Sequence, residues 1–249
     1  MIIGEEVMEQ LGSGQARLAS EWMSPGERLL EIGCSSGYLS RQYRGRTRHL
    51  YGFDINPAAL RAAKNRQPAT PVLCGDVEHL PFASDSFDTV VMLEVIEHTG
   101  SDFSAIAEIA RVLKPGGKLI LSTPHAGLFA FLDPYNLRRA VQRRLPKFYA
   151  AAARLARFDN SQFTENLERH RHYSLEELTA LMGQDLAIRE VYRGGLLLYP
   201  VTAACISVAG RLWNNTQLLH CLYKLLNWDF RVPCGRFSYN VMIVAERIR

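Results

Sequence analysis

The chain has 249 residues, 47% of them hydrophobic and 22% charged, with a formal net charge of +4. That composition suits one large globular domain, or one domain with an embedded cap, and excludes a chain too polar to build a core. Five cysteines, Cys34, Cys74, Cys205, Cys221 and Cys234, form no CxxC pair and are odd in number. Reduced thiols in a cytosolic protein are therefore expected, not a disulfide framework. The opening "MIIGEEVMEQLGSG" is acidic and lacks the basic and apolar regions of a signal peptide, which also predicts a cytoplasmic location.

In chain order, residues 5–22 read as an opening helix. After "SPGE", residues 28–32 read as a strand, 37–44 as a helix and 49–53 as a second strand. "NPAALRAAKN" is helical, with Asn56 as N-cap and Pro57 at the first helical position. "TPVLCGD" is a short strand, and "FDTVVMLEV" a continuous apolar strand of the kind buried on both faces. Residues 101–113 are helical, capped by Ser101 and stopped by "KPGG". "KLILSTP" is the fifth strand. Strands alternating with helices at this spacing predict a parallel, doubly wound α/β sheet.

The alternation stops at Pro124. It resumes with the helix "YSLEELTALM" and a strand at 185–192, is interrupted again over 194–237, and closes with the alternating strand "SYNVMIVAERI". The expected organisation is a single domain over 1–249. Its core takes 24–124, 173–193 and 238–249, with a cap insertion at 125–172 and an apolar helical insertion at 194–237. Ligands of open α/β sheets bind at the carboxyl ends of the strands, so both insertions start where they can cover a site.

The first strand runs into "LLEIGCSSGYLS", where an acid and a small, Gly-containing turn follow an apolar run. Such turns let the main chain approach a ligand closely. A dinucleotide site would need G-x-G-x-x-G here, but Gly33 and Gly37 are spaced G-x-x-x-G, with Ser35 and Tyr38 at the other two positions. The stretch instead resembles the first motif of the class I S-adenosylmethionine-dependent methyltransferases, E-x-G-x-G-x-G, with Ser35 at the middle glycine. "LYGFDIN" resembles their second motif, "CGDVEHLPFASDSFDTVVMLEVIEH" the third and fourth, and "ARVLKPGGKLILSTP" the fifth. "HYSLEEL" extends the likeness to about residue 192.

The resemblance implies a Rossmann-like fold with a seven-stranded, mostly parallel sheet, and the interruptions in the alternation add two helical insertions, after strands five and six. It implies S-adenosylmethionine as cofactor and assigns it residues. Asp54, about twenty residues after the first turn, would accept hydrogen bonds from both ribose hydroxyls, as the acid of dinucleotide folds does. Asp76 would accept from the adenine amino group and the Val77 amide would reach a ring nitrogen. The Gly33 and Cys34 backbone would lie against the amino-acid tail, with Glu31 towards its ammonium. Gly37, Ile55 and Leu93 complete the set. Without a ligand, Asp54 would simply cap the Asn56 helix and Asp76 close a turn. Methyl transfer asks the protein mainly to align a nucleophile for in-line attack, with a general base where the acceptor is a hydroxyl.

"LEVIEH" places Glu94, Glu97 and His98 at the end of the fourth strand. Two carboxylates and an imidazole suit a divalent ion such as Mg or Mn. The E-x-x-E-H pattern also resembles ubiquinone-pathway O-methyltransferases and small-RNA 2′-O-methyltransferases, where those positions are linked to a metal. The alternative is a stretch that only caps the next helix or lines the pocket. His98, and His125 directly after the fifth strand, are the candidate catalytic groups; His170 and His172 stand nearby in "RHRHYS".

Residues 134–158 hold seven basic residues, Arg138, Arg139, Arg143, Arg144, Lys147, Arg154 and Arg157, and no acid. Apolar positions recur every three or four residues along this stretch, with Pro146 dividing it. A basic amphipathic helix of this kind suits an anionic membrane surface, the phosphates of RNA or a phosphosugar, or simply solvent. In the second insertion, 17 uncharged residues between Arg193 and Arg211 include "GLLLYPVTAACISVAG". As a helix they would reach about 25 Å, short of a roughly 30 Å hydrocarbon core. A buried or interfacial element is expected. The combined expectation is methyl transfer to a small-molecule or lipid-like acceptor, at a hydroxyl, by a protein that is cytoplasmic or peripheral at the inner face of the membrane. The alternatives are a small-RNA 2′-O-methyltransferase and a cofactor-binding module without catalysis.

Overall fold

A computed structural model describes residues 13–128, 130, 134–147, 149–150, 171–195 and 216–248. Seven strands form one sheet: β1 (Glu27–Ile32), β2 (Thr47–Asp54), β3 (Val72–Cys74), β4 (Phe87–Leu93), β5 (Leu113–Pro124), β6 (Leu186–Gly194) and β7 (Asn240–Arg247). Their order is β3-β2-β1-β4-β5-β7-β6. The first five run parallel, and β7 inserts antiparallel between β5 and β6. The seven-stranded, mostly parallel α/β sheet expected from the sequence is therefore present.

The central strands are apolar without interruption because both faces are covered. Successive residues point to opposite faces, and the core divides accordingly. Leu30, Val90, Leu119, Leu121 and Ile243 join one cluster, while Leu29, Val91, Ile120 and Val244 join the other. On the first face these pack with α4 (Asp102–Val112) through Ile106 and Ile109, and with α6 (Leu175–Met182) through Leu178 and Met182. On the second face Ala16 and Ala19 of α1 (Gly14–Trp22) and Phe230 of α7 (Thr216–Phe230) close the layer.

The helix starts read from sequence hold at atomic detail. Asn56 accepts from the Ala58 and Ala59 amides at the head of α3 (Pro57–Arg66). Ser101 accepts from the Ser104 amide at the head of α4. Two expectations need correction. Residues 37–44 are not one helix: only α2 (Arg41–Arg44) is helical. Gly37 has φ +74 and its carbonyl accepts from Gln67, while Arg66 donates to the Ser36 carbonyl, so the first half is held as a turn. "KPGG" does not merely end a helix. It lies within β5 as an irregularity, where pairing jumps from Phe87–Leu113 to Thr89–Lys118, with Gly116 at φ +75.

Both insertions leave and return at neighbouring points. His125 bridges Tyr173 in parallel, and the Tyr173 amide donates to the Pro124 carbonyl. Gly194 bridges Pro233, and the Tyr239 amide donates to the Gly195 carbonyl. The first insertion contains α5 (Pro134–Arg144) and the second contains α7. Residues 5–12 of the expected opening helix, the 151–170 part of the basic stretch with Arg154, Arg157 and His170, and the apolar tract from 196 to 210 lie outside the described residues. Among the described residues no helix is long and apolar enough to cross a membrane.

Helix α6 begins with a reciprocal capping box, in which Ser174 accepts from the Glu177 amide and Glu177 accepts from the Ser174 amide. Replacing a capping serine by alanine costs about 1 kcal/mol. Ser174→Ala should lower the unfolding free energy by that amount in a urea titration, with an unchanged m-value.

Candidate functional site

The rim formed by Ile32, Asp54, Cys74, Leu93, Pro124 and Gly194 collects the carboxyl ends of six strands, joined by Asn240 at the start of β7. The turn after β1 is shaped by close approach. Gly33 has φ +73, and a Cβ there would lie 2.2 Å from Val95 Cγ2. No side chain fits, so the turn after β1 presses directly on the turn after β4. The Gly33 and Cys34 amides both donate to the Phe53 carbonyl at the end of β2.

Asp54 ties the rim together. One carboxylate oxygen accepts from the Ser35 amide and the other from the Asn56 amide, each at 2.8 Å. The group is thus held at the rim, between the first turn and the head of α3. Ser35 takes a left-handed φ of +49 to point its amide there. Asp76 accepts from the Glu78 amide at 3.0 Å and so closes a 3-10 turn over Val77–His79, in which Val77 is buried. Ile55, beside Asp54, is 65% exposed. Glu31, Gly33, Cys34, Gly37, Asp54, Ile55, Asp76 and Val77 therefore all stand at or just beneath the ends of the first three strands.

Glu31 is buried, and the Ser40 hydroxyl donates to its carboxylate. Burial raises its pKa to about 7, against the lowering effect of Ser40, with the Asp54 charge adding to the rise. Burial, and then the charges of Glu31 and Asp54, hold the Cys34 thiol far above its ordinary range. Cys34 is a packing group here, not a nucleophile.

The structure does not bring Glu94, Glu97 and His98 together as a metal site. Glu94, at φ +55, turns its Oε1 away to accept from Gln15 Nε2 at 3.0 Å, Ser122 Oγ at 2.8 Å and Asn240 Nδ2 at 2.8 Å. Glu97 is fully buried and accepts from Thr123 Oγ1. His98 Nε2 lies 3.9 Å from its Oε1, with the His98 side chain 41% exposed. Among the described residues no three His, Cys, Asp or Glu side chains form a metal-binding group. The Gln15, Ser122 and Asn240 donors commit the Glu94 carboxylate to hydrogen bonds.

His125 is buried with its Nδ1 3.1 Å from the Ser238 carbonyl. A carbonyl only accepts, so Nδ1 carries the hydrogen and Nε2 the lone pair. Burial holds its pKa below the ordinary value. His172, in "RHRHYS", stacks edge-on against Tyr239.

Sequence reasoning missed Gln15, Ser122 and Asn240. A glutamine in an amphipathic helix carries no local signal, whereas Asn240 is a polar residue opening an otherwise apolar strand and was visible. A cavity of about 190 Å³ lies at this point, between Gln15, Tyr38, Leu93 and Glu94 on one side and Tyr223, Asn227 and Phe230 of α7 on the other. The Gly14 amide donates to Asn227, so α1 and α7 close over it as a pair.

This rim, with its glycine turn and its row of acids, is that of a Rossmann-like methyltransferase fold. Residues 30–121 match the methyltransferase domain family. A ubiquinone biosynthesis O-methyltransferase from Marinobacter nauticus is 31% identical over 181 residues, covering 68% of this chain and 72% of that protein. The chain belongs to the class I S-adenosylmethionine-dependent methyltransferase family, and membership implies S-adenosylmethionine as the cofactor. A malonyl-[acyl-carrier protein] O-methyltransferase from Serratia marcescens is 36% identical over 114 residues, 46% of this chain and 45% of that protein. The chain spans about half the length of several curated relatives that it matches. A methyltransferase solved with the Haloferax volcanii Trm112 activator has the same fold, with a TM-score of 0.60 at 18% identity over 98% of this chain and 94% of that one.

Two predictions follow from the turn and the buried acid. Gly33→Ala combines a disfavoured φ with the contact at Val95 and should destabilise the protein by roughly 1–3 kcal/mol in denaturant titration. For Glu31, the native state keeps the proton up to about pH 7, whereas the unfolded group releases it near its ordinary value of 4.5. The native state therefore binds more protons across that window, and stability falls as pH rises through it. Unfolding free energies measured from pH 4.5 to 7.5 should show this decline, and Glu31→Gln should flatten it.

Proposed function

We propose that the protein transfers a methyl group from S-adenosylmethionine to a small-molecule or lipid-like acceptor, at a hydroxyl. The observation that carries this reading is the Asp54 carboxylate, fixed at the rim by two backbone amides at 2.8 Å directly beside a turn that admits no side chain. A carboxylate oxygen has lone pairs beyond the one each amide uses, so the group can still accept from a vicinal diol. The cofactor, when bound, supplies a methyl group already activated on a sulfonium.

In this reading Asp54 holds the ribose hydroxyls, Ile55 offers an exposed apolar face to the adenine, and Asp76 with the Val77 amide meets the edge of that base. The Gly33 and Cys34 backbone, with Gly37, makes room for the amino-acid tail. Glu31 lies beneath the tail, where an ammonium would favour its ionised form. Leu93 and Glu94 wall the cavity in which the transferred group and acceptor meet. His98 is the group that takes the acceptor's proton, since its ring reaches solvent at the rim whereas His125 is buried. His125 supports the wall between β5 and the first insertion. The names of the relatives support the acceptor class: one belongs to ubiquinone biosynthesis and the other methylates a malonyl group on a carrier protein.

The test is calorimetric titration with S-adenosylhomocysteine. Wild-type protein should bind in the micromolar range and Asp54→Asn at least tenfold more weakly, about 1.4 kcal/mol or more, while circular dichroism shows the variant still folded. A folded wild-type protein that does not bind would overturn the assignment. Binding without label transfer from radiolabelled S-adenosylmethionine to any quinone, lipid or small-molecule acceptor would leave a cofactor-binding module instead.

A further inference from the structure

A pocket of about 250 Å³ lies at the end of the sheet far from the rim that holds Asp54. It forms because β3 is short. Pro71 has no amide hydrogen with which to extend the ladder, and β3 pairs only with Gly52, Phe53 and Asp54 of β2. Residues 47–51 of β2 therefore face, across a gap, Ala69, Thr70 and Pro71 of the loop that follows α3. Thr47 and Asp54 stand at opposite ends of β2, roughly 23 Å apart at the usual rise of a strand.

The lining carries one sign of charge. Arg44, at the end of α2, stands in it with Arg48 and His49 of β2, all three exposed, and no carboxylate does. Residues 32–75 contain a single acid, Asp54, at the other end of the strand. Glu27, beside Thr47 at the start of β1, gives its carboxylate to the Ser24 amide and the Thr89 hydroxyl. Thr89 belongs to β4, on the side of β1 away from β2. Among the described residues neither Arg44 nor Arg48 is in an ion pair. Arg44 is nonetheless held in place. It donates to the Thr70 hydroxyl at 3.0 Å, which in turn donates to Gln67 Oε1 at 3.3 Å. Thr70 and Gln67 are both buried, so neutral groups anchor the guanidinium and leave its charge uncompensated.

We propose that this pocket is a second binding site, which takes a small molecule carrying a phosphate group and lies apart from the site of methyl transfer. A cleft lined by one sign of charge concentrates the opposite ion, and guanidinium groups match phosphate oxygens in pairs. Arg46, between the two arginines in sequence, does not line the pocket. The cations therefore gather at one concave spot and do not form a track along the surface. That suits a single phosphate, whereas a nucleic-acid backbone would need a row of contacts. Tyr51, Ala69 and Pro71 supply an apolar wall for the rest of the molecule. The site stands independently of the methyltransferase reading, because none of its residues belongs to the rim.

The experiment titrates the full chain with ribose 5-phosphate at low ionic strength, with and without S-adenosylhomocysteine at saturation. Parallel arms use ribose, inorganic phosphate and a single-stranded RNA oligonucleotide. Ribose 5-phosphate should bind, ribose should not, and inorganic phosphate should compete. The affinity should be the same with S-adenosylhomocysteine present. Arg44→Gln and Arg48→Gln should each weaken binding roughly tenfold or more, the loss expected for a hydrogen bond to a charged group. Circular dichroism and S-adenosylhomocysteine affinity should not change. Should Arg44→Gln fail to fold through loss of its Thr70 contact, Arg48→Gln decides alone. No binding of ribose 5-phosphate, equal binding of ribose, displacement by S-adenosylhomocysteine, or folded variants that bind as wild type overturn the proposal. RNA binding that is lost in Arg48→Gln, without binding of ribose 5-phosphate, overturns it in favour of a nucleic-acid surface. Failure of S-adenosylhomocysteine to bind counts against the proposed function alone and leaves the other arms as they are.

Discussion

The carboxylate of Asp54 accepts one amide from the turn after β1 and another from the head of α3. Two loops at the ends of neighbouring strands are thereby fixed to each other at the surface. The Phe53 carbonyl, one residue earlier, receives the Gly33 and Cys34 amides, so the same strand end sets the path of the first turn. With that turn fixed, the missing side chain at Gly33 lets it settle against Val95, which places the turn after β4. The ends of β1, β2 and β4 are located by a handful of contacts around two adjacent residues.

Much of this half was legible in the sequence. Alternating strands and helices gave the sheet, because an apolar run such as "FDTVVML" has few other uses in a chain with so many helix caps. Asn56 and Ser101 could be recognised as caps because their side chains act on amides two or three residues away. The length of the helix after Gly37 could not be read. Its first turn is prevented by Gln67 and Arg66 donating to the carbonyls of Gly37 and Ser36 from thirty residues away, and no local pattern reports such bonds.

The fate of the E-x-x-E-H stretch shows the same limit more sharply. Spacing places two acids and a histidine within one short turn. Where the Glu94 carboxylate points depends on donors from three other elements: Gln15 of α1, Ser122 of β5 and Asn240 of β7. Those donors come from near both ends of the chain and from its middle, so a window of six residues is blind to them. The conversion of expected ligands into hydrogen-bond acceptors is a tertiary event. It also joins the opening helix and the closing strand at the rim, through Glu94.

The strand order has a consequence for how the molecule comes to be made. β7 is the last of the seven strands in sequence, yet it lies between β5 and β6. On a chain emerging amino end first, β5 acquires its outer neighbour only after more than a hundred further residues have been synthesised, since β5 ends at Pro124 and β7 begins at Asn240. Until then its backbone donors and acceptors present an open edge of the kind that recruits other strands, and long-range pairing of this sort forms slowly. The nascent protein is therefore most open to misassembly and to chaperone capture late in synthesis, while the first five strands have already emerged and wait for the strand that seals them.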